Sequence, residues 1–127
     1  MALTAKKSYA KGMGPFPSDI YRAEFPYLYH APKGYSEQEA IAYYLDKLNT
    51  LFDEAAPASD IAAMIVEPVQ GEGGFVPAPI EWVKAVRKIC DDNGILLLLM
   101  KYSVETVEVA DTMPQNIGRK QVLHQIL

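Results

Sequence analysis

The sequence has one cysteine, no excess of basic residues and no long hydrophobic run. A lone thiol, Cys90, cannot form an internal disulfide, which predicts a reducing, cytoplasmic compartment. A net charge of -4 at pH 7 gives no basic footprint for nucleic acid. The longest apolar run, Ile95 to Met100, is too short to span a bilayer. The polar residues after Met1 do not resemble a secretory hydrophobic segment. We therefore expect neither a nucleic-acid nor a membrane partner.

The composition is that of an ordinary globular protein. The chain has 127 residues, of which 50% are hydrophobic and 22% are charged, enough for one domain or part of one. Residues 11–32 concentrate proline and aromatic side chains, and proline at that density argues against regular helix or a central strand. The aromatics need another surface to lie on, which is natural inside a larger domain.

The middle of the chain carries clear helix and strand patterns. Ser36 and Glu39 form a capping box, and apolar residues recur behind it at helical spacing. Ile61 to Val66 is a continuously apolar run typical of a strand buried on both faces. A glycine-rich loop, Glu67 to Pro79, separates that strand from a second amphipathic helix, Ile80 to Asn93. Gly94 is predicted to end this helix.

A second apolar strand, Ile95 to Leu99, follows the helix. Strand, loop, helix and strand make a βαβ unit, for which a right-handed crossover is expected. The fold class is therefore α/β with a mostly parallel sheet. Cys90 falls at helical spacing with Val83 and Val86, so we expect it to be a buried structural thiol.

The loop between the strand and the helix is the candidate site. It lies at the carboxyl end of a predicted parallel strand, where open α/β sheets bind ligands. Glu67 and Glu72 could be aimed into one pocket, while the glycines let the backbone approach a ligand closely. The same residues also suit an ordinary loop with its glutamates in water. The glycine spacing matches neither a phosphate-binding P-loop nor a dinucleotide fingerprint.

Glu67-Pro-Val-Gln-Gly-Glu-Gly-Gly-Phe75 resembles the characteristic loop of class III aminotransferases, especially those that act on 4-aminobutyrate. Gly12 to Phe16, Tyr21 to Tyr27 and Ile89 to Leu96 are similar to other segments of that family. The resemblance implies part of the large domain of a fold type I transferase dependent on pyridoxal phosphate. It also implies a homodimer that exchanges an amino group between amino acids and 2-oxo acids such as 2-oxoglutarate. By the same resemblance, Glu67 lines the cofactor pocket, and Glu72 pairs with a downstream arginine that also receives the substrate carboxylate.

The resemblance covers about residues 1 to 97 and stops at the end of the second strand. The family continues Ile-Ala-Asp-Glu-Val-Gln, and its aspartate pairs with the cofactor's pyridine nitrogen. This chain has Met100 at that position, and it lacks the family's Schiff-base lysine, so no catalytic set is complete. We expect cofactor binding to be poor and the chain to be inactive.

The genetic code offers a reason for this departure. Synonymous codons can be chosen for Leu98 to Ser103 so that the reading frame that begins one base earlier encodes Ile-Ala-Asp-Glu-Val-Gln. We therefore expect residues 1–99 to be a partial cofactor-binding domain. Residues 100–127 would then be a non-homologous tail created by a one-base deletion near Leu97.

Three other interpretations stay open. The parent could be a class III enzyme of the ornithine or acetylornithine type, or the chain could be a non-catalytic interaction fragment. An unrelated small α/β binding domain would require residues 1–35 to pack as a self-sufficient layer. His30 has no second ligand at metal spacing, so no metal site is expected.

Overall fold

The computed structural model describes residues 10–16, 18–71 and 73–100, together with the backbone of residues 107–109 and 121–126. Among these residues, helix α1 spans Glu37–Glu54 and helix α2 spans Ile80–Asn93. The strands are β1 (Ile20–Glu24), β2 (Ile61–Val66), β3 (Val69–Gln70), β4 (Val76–Pro77), β5 (Leu96–Met100), β6 (Val107–Val109) and β7 (Gln121–Ile126). Short 3₁₀ turns cover Leu28–His30 and Ala58–Asp60.

Five of the strands form one sheet in the order β1-β7-β2-β5-β6. The first three neighbouring pairs are parallel, and β6 runs antiparallel to β5. Strands β3 and β4 form a separate two-stranded hairpin. The structure confirms the α/β class with a mostly parallel sheet.

Helix α1 begins at the predicted capping box. The Ser36 hydroxyl accepts a hydrogen bond from the Glu39 amide at 3.3 Å, and the Glu39 carboxylate accepts one from the Ser36 amide at 2.8 Å. Two amide donors that the first turn leaves unpaired are thereby satisfied. The helix buries one face, which contains Ala40, Ile41, Tyr44 and Leu48.

The predicted βαβ unit is confirmed as β2, α2 and β5. All six residues of β2 are buried, as expected for a strand inside a parallel sheet. Helix α2 spans the predicted residues, and Gly94 ends it with a φ of 66°, a conformation that glycine adopts without steric cost. Strand β5 pairs parallel to β2, with Ala63 opposite Leu96 and Val66 opposite Leu99.

Both helices contribute to a single hydrophobic core with the strands. Its members include Tyr44 and Leu48 of α1, Met64 and Leu97 of the sheet, and the α2 side chains Trp82, Val86 and Cys90. Cys90 has no exposed surface, which confirms the structural thiol. Full burial of each large apolar side chain stabilises the fold by about 1.5–3 kcal/mol.

Strands β1 and β7 of the main sheet differ from the sequence analysis. Strand β1 lies within the proline-rich region, but it occupies the edge of the described sheet and contains no proline, so no strand amide is lost. The residues after Leu99 gave no clear pattern, yet 121–126 form β7 between β1 and β2. Its sequence, Gln-Val-Leu-His-Gln-Ile, does not alternate regularly, which is why periodicity did not identify a strand.

Across the described part of the chain, neither helix has the length and hydrophobicity needed to cross a membrane.

Replacing a buried core residue tests this packing. Leu48 is 2% exposed, so Leu48→Ala should lower the free energy of unfolding by about 2–5 kcal/mol through lost burial and a residual cavity. Ile80 lies at the start of α2 and is 71% exposed. Ile80→Ala should therefore change stability by less than about 0.5 kcal/mol. Urea unfolding followed by circular dichroism measures both, and equal losses would contradict the described core.

Candidate functional site

The candidate site lies at the carboxyl edge of the parallel strands. Strand β1 ends at Glu24, β2 ends at Val66, and β5 ends at Met100. Because these strands run in the same direction, the residues that follow them meet at one edge of the sheet. Glu67 is therefore placed at this edge, as the sequence predicted.

The loop after β2 is an ordered hairpin, a feature that the sequence analysis missed. Gln70 pairs with Val76, and the amides of Gly74 and Phe75 both donate to the Gly71 carbonyl, at 3.2 and 3.3 Å. Gly74 has a φ of 109° and Phe75 a φ of 55°. A left-handed conformation is uncommon for a residue with a side chain, so the turn places Phe75 under local strain. The Phe75 ring is 66% exposed.

Gln70 supports this hairpin from inside. It is the one amide or charged residue in the buried set of the described chain, with 4% exposure. A methyl group at Gly73 would lie 2.8 Å from the Gln70 Oε1 atom and 3.2 Å from its Cβ atom. Both distances are shorter than van der Waals contact, so glycine at 73 allows the turn to close over the Gln70 side chain.

Glu67 is half-buried, and its Oε2 atom is buried without a hydrogen-bond partner among the described residues. Leaving a carboxylate oxygen in this state is costly unless a ligand or another group pairs with it. Glu72, the second predicted site residue, lies outside the described residues. The predicted shared pocket for Glu67 and Glu72 therefore stays a prediction.

A cavity of about 320 Å³ opens beside the hairpin at the same edge. Its walls come from the end of β1, the 3₁₀ turn, α1 and β3, and consist of Glu24, Phe25, Tyr27, His30, Tyr43, Tyr44 and Gln70. These residues are far apart in sequence and share no motif. Only the local aromatic enrichment of residues 11–32 hinted at such a site.

The charged side chains of Lys47 and Glu24, near the cavity, form an ion pair with each other. Lys47 donates to Glu24 at 2.6 Å, and the hydrogen bonds to Glu24 and then to Tyr43 raise the pKa of Lys47. Burial, followed by the negative charge of Glu24, raises the pKa of Tyr44. Tyr44 donates its hydroxyl to the Tyr27 carbonyl at 2.9 Å.

Two other kinds of chemistry find no support in the described residues. Burial raises the pKa of the Cys90 thiol to about 11, so this residue is a poor nucleophile at neutral pH. No cluster of three or more metal-ligating side chains occurs in the part of the chain that the structure describes. His30 is exposed and packs against Tyr27, with ring centroids 4.2 Å apart and the ring planes tilted by 49°.

An α/β sheet with a glycine-rich loop at its carboxyl edge belongs to the class of open α/β proteins that bind ligands at this edge. Residues 1–100 match the family model for class-III aminotransferases, and the chain belongs to that family.

Individual relatives agree with this assignment. The chain is 48% identical over 99 residues to a 5-aminovalerate aminotransferase of Pseudomonas putida, and 41% identical over 99 residues to a 4-aminobutyrate aminotransferase of Escherichia coli. Each alignment covers 77% of this chain and 22% of the relative. The chain therefore spans about a fifth of the length of these relatives.

A solved structure shares the fold. An (S)-enantioselective omega-transaminase from Thermomicrobium roseum superposes with a TM-score of 0.68 at 33% identity. The superposition covers 77% of this chain and 22% of the transaminase. The described chain is thus an α/β piece of the transferase fold whose family depends on pyridoxal phosphate.

The described residues do not fit that cofactor as a complete site. Glu67 offers a carboxylate oxygen that has no partner among the described residues. Strand β5 ends at Met100, and a thioether cannot stabilise a protonated ring nitrogen. Among the described lysines, Lys84 and Lys88 form exposed ion pairs with Glu81 and Asp92, and Lys47 is paired with Glu24. No described contact joins a lysine to Glu67.

A double-mutant cycle tests how Gln70 shapes the hairpin. Gly73→Ala should cost about 1–3 kcal/mol of unfolding free energy, because its methyl group overlaps the buried Gln70 side chain. In a Gln70→Ala background the same change should cost at least about 1 kcal/mol less. Gly14→Ala, whose added methyl group meets no atom within 4 Å, is the control. Simple additivity of the two changes would disprove the contact.

Proposed function

We propose that this chain derives from an aminotransferase that moves the amino group of a short ω-amino acid to 2-oxoglutarate. Support comes from the family match over residues 1–100 and from the loop Glu67 to Phe75 at the carboxyl edge of the sheet. The relatives at 48% and 41% identity act, by their names, on 5-aminovalerate and 4-aminobutyrate. These two substrates differ by one methylene and favour a donor of four or five carbons.

In this proposal the two loop glutamates have different roles. Glu67 lines the cofactor pocket, and this position is supported by its Oε2 atom, which is buried and has no hydrogen-bond partner among the described residues. Glu72 pairs with an arginine that a whole enzyme supplies from elsewhere and that receives the substrate carboxylate.

We also propose that this 127-residue chain has no transaminase activity. By the resemblance, the position at the end of β5 should carry a carboxylate but carries Met100 instead. An apolar thioether gives the cofactor's ring nitrogen no charge partner. No Schiff-base lysine belongs to the described carboxyl edge. Both absences remove chemistry that the reaction needs, even if the fold is intact.

Residues 1–99 are proposed to be the partial cofactor-binding domain, and residues 100–127 a tail translated out of frame. The family match extends to residue 100, which supports a boundary at this point. The alternative reading of Leu98 to Ser103 as Ile-Ala-Asp-Glu-Val-Gln supports a frame change. The parent enzyme is proposed to be a cytoplasmic homodimer, in keeping with the single cysteine and the acidic composition.

Comparing this chain with its frame-restored parent tests the function. The parent should convert 4-aminobutyrate or 5-aminovalerate with 2-oxoglutarate, detected as glutamate formation. The 127-residue chain should give no glutamate above a blank, and no protein-bound absorbance band with pyridoxal phosphate. Activity of the purified chain would overturn the proposed loss of function, and a parent inactive on both donors would overturn the proposed substrate class.

The nucleotide sequence tests the tail independently. If one base is missing near codon 97, the alternative frame should encode Ile-Ala-Asp-Glu-Val-Gln and then continue as an aminotransferase. A locus whose other frames encode no such continuation would show that residues 100–127 arose differently.

A further inference from the structure

The cavity beside the hairpin has a composition that the proposed transamination does not use. Four of its wall residues carry rings (Tyr27, His30, Tyr43 and Tyr44), and Phe25 adds a fifth. Its volume of about 320 Å³ falls within the range of small-molecule sites. Two wall side chains offer strong hydrogen-bond acceptors, namely the carboxylate of Glu24 and the amide oxygen of Gln70.

The aromatic walls are held in place by contacts with one another. Tyr43 and Tyr44 pack edge to face with ring centroids 5.3 Å apart. Tyr27 packs against His30 in a tilted arrangement with ring centroids 4.2 Å apart. The hydrogen bond from the Tyr44 hydroxyl to the Tyr27 carbonyl, 2.9 Å long, joins α1 to the segment after β1. These contacts fix helix α1 and the segment after β1 against each other, so the shape of the cavity is set by tertiary packing.

This surface already holds one ammonium group. Lys47 Nζ lies 5.1 Å from the centre of the Tyr43 ring and 2.6 Å from Glu24 Oε1. A cation over an aromatic face and beside a carboxylate is stabilised by both. The Glu24 side chain remains 56% exposed, so it is open to a second cation from the cavity side.

We propose that this cavity binds a primary alkylammonium ion. The ammonium group would sit at Glu24 with Gln70 as a further acceptor, and the alkyl chain would lie against Tyr27, Tyr43 and Phe25. An anion is disfavoured, because the cavity wall contains a carboxylate and neither lysine nor arginine, and the neighbouring Lys47 ammonium is already paired with that carboxylate. The proposal does not rest on the transaminase function, since every wall residue is present in this chain.

Titration of the purified 127-residue chain with n-butylammonium tests the site. Backbone amide shifts in ¹⁵N-labelled protein should change for residues 24–30 and 43–47, with a dissociation constant of about 1–10 mM. The uncharged analogue 1-butanol has the same chain length and nearly the same shape, and it should bind at least about fivefold more weakly. Equal binding of 1-butanol would show a merely apolar groove and would overturn the proposal, as would the absence of localised shifts.

Three variants separate ligand binding from fold maintenance. Glu24→Gln should weaken n-butylammonium binding at least about fivefold, whereas Glu37→Gln, an exposed carboxylate in the first turn of α1, should leave it unchanged. Lys47→Met removes the internal ammonium that competes for Glu24 and Tyr43, so it should tighten binding about two- to fivefold. A purely structural role for the Glu24–Lys47 pair predicts weaker binding in both Glu24→Gln and Lys47→Met, and that outcome would overturn the site.

Discussion

The positions of the candidate site residues depend on the parallel pairing of β2 with β5, which helix α2 connects. Every residue of β2 is buried, so a change in its register would move apolar side chains out of the core. The pairing of Ala63 with Leu96 and of Val66 with Leu99 fixes where both strands end. This register therefore places Glu67 and Met100 at the same edge of the sheet.

The carboxyl edge has a well organised backbone, although we propose that its catalytic set is incomplete. The hairpin after β2 is closed by two amides on the Gly71 carbonyl and filled from inside by Gln70. Glu67 nevertheless keeps a buried oxygen without a described partner, and in our proposal Met100 stands where the family's chemistry uses a carboxylate. On that proposal the chain keeps the fold without the chemistry, because core packing depends on apolar burial whereas catalysis depends on single polar atoms.

Strand β7 shows that a segment outside the family match can fill a strand position in the sheet. Residues 121–126 lie beyond the family match, which ends at residue 100, yet they pair in parallel with both β1 and β2. Backbone hydrogen bonds carry no side-chain information, so a moderately apolar segment can occupy an available strand position. Such pairing satisfies the amides and carbonyls of β1 and β2, which otherwise have no neighbour between them in the described sheet.

The sequence alone determined the local elements of the chain and its family. Ser36 and Glu39 predicted the start of α1, Gly94 predicted the end of α2, and the apolar run at Ile61 to Val66 predicted β2, because caps, glycine conformations and burial patterns act over a few residues. The loop Glu67 to Phe75 led to the aminotransferase family for the same reason. Only the tertiary structure decided the sheet order, the hairpin over Gln70 and the aromatic cavity. Those features join residues such as Glu24, Tyr43 and Gln70, whose proximity follows from packing between distant segments and leaves no periodic trace in the sequence.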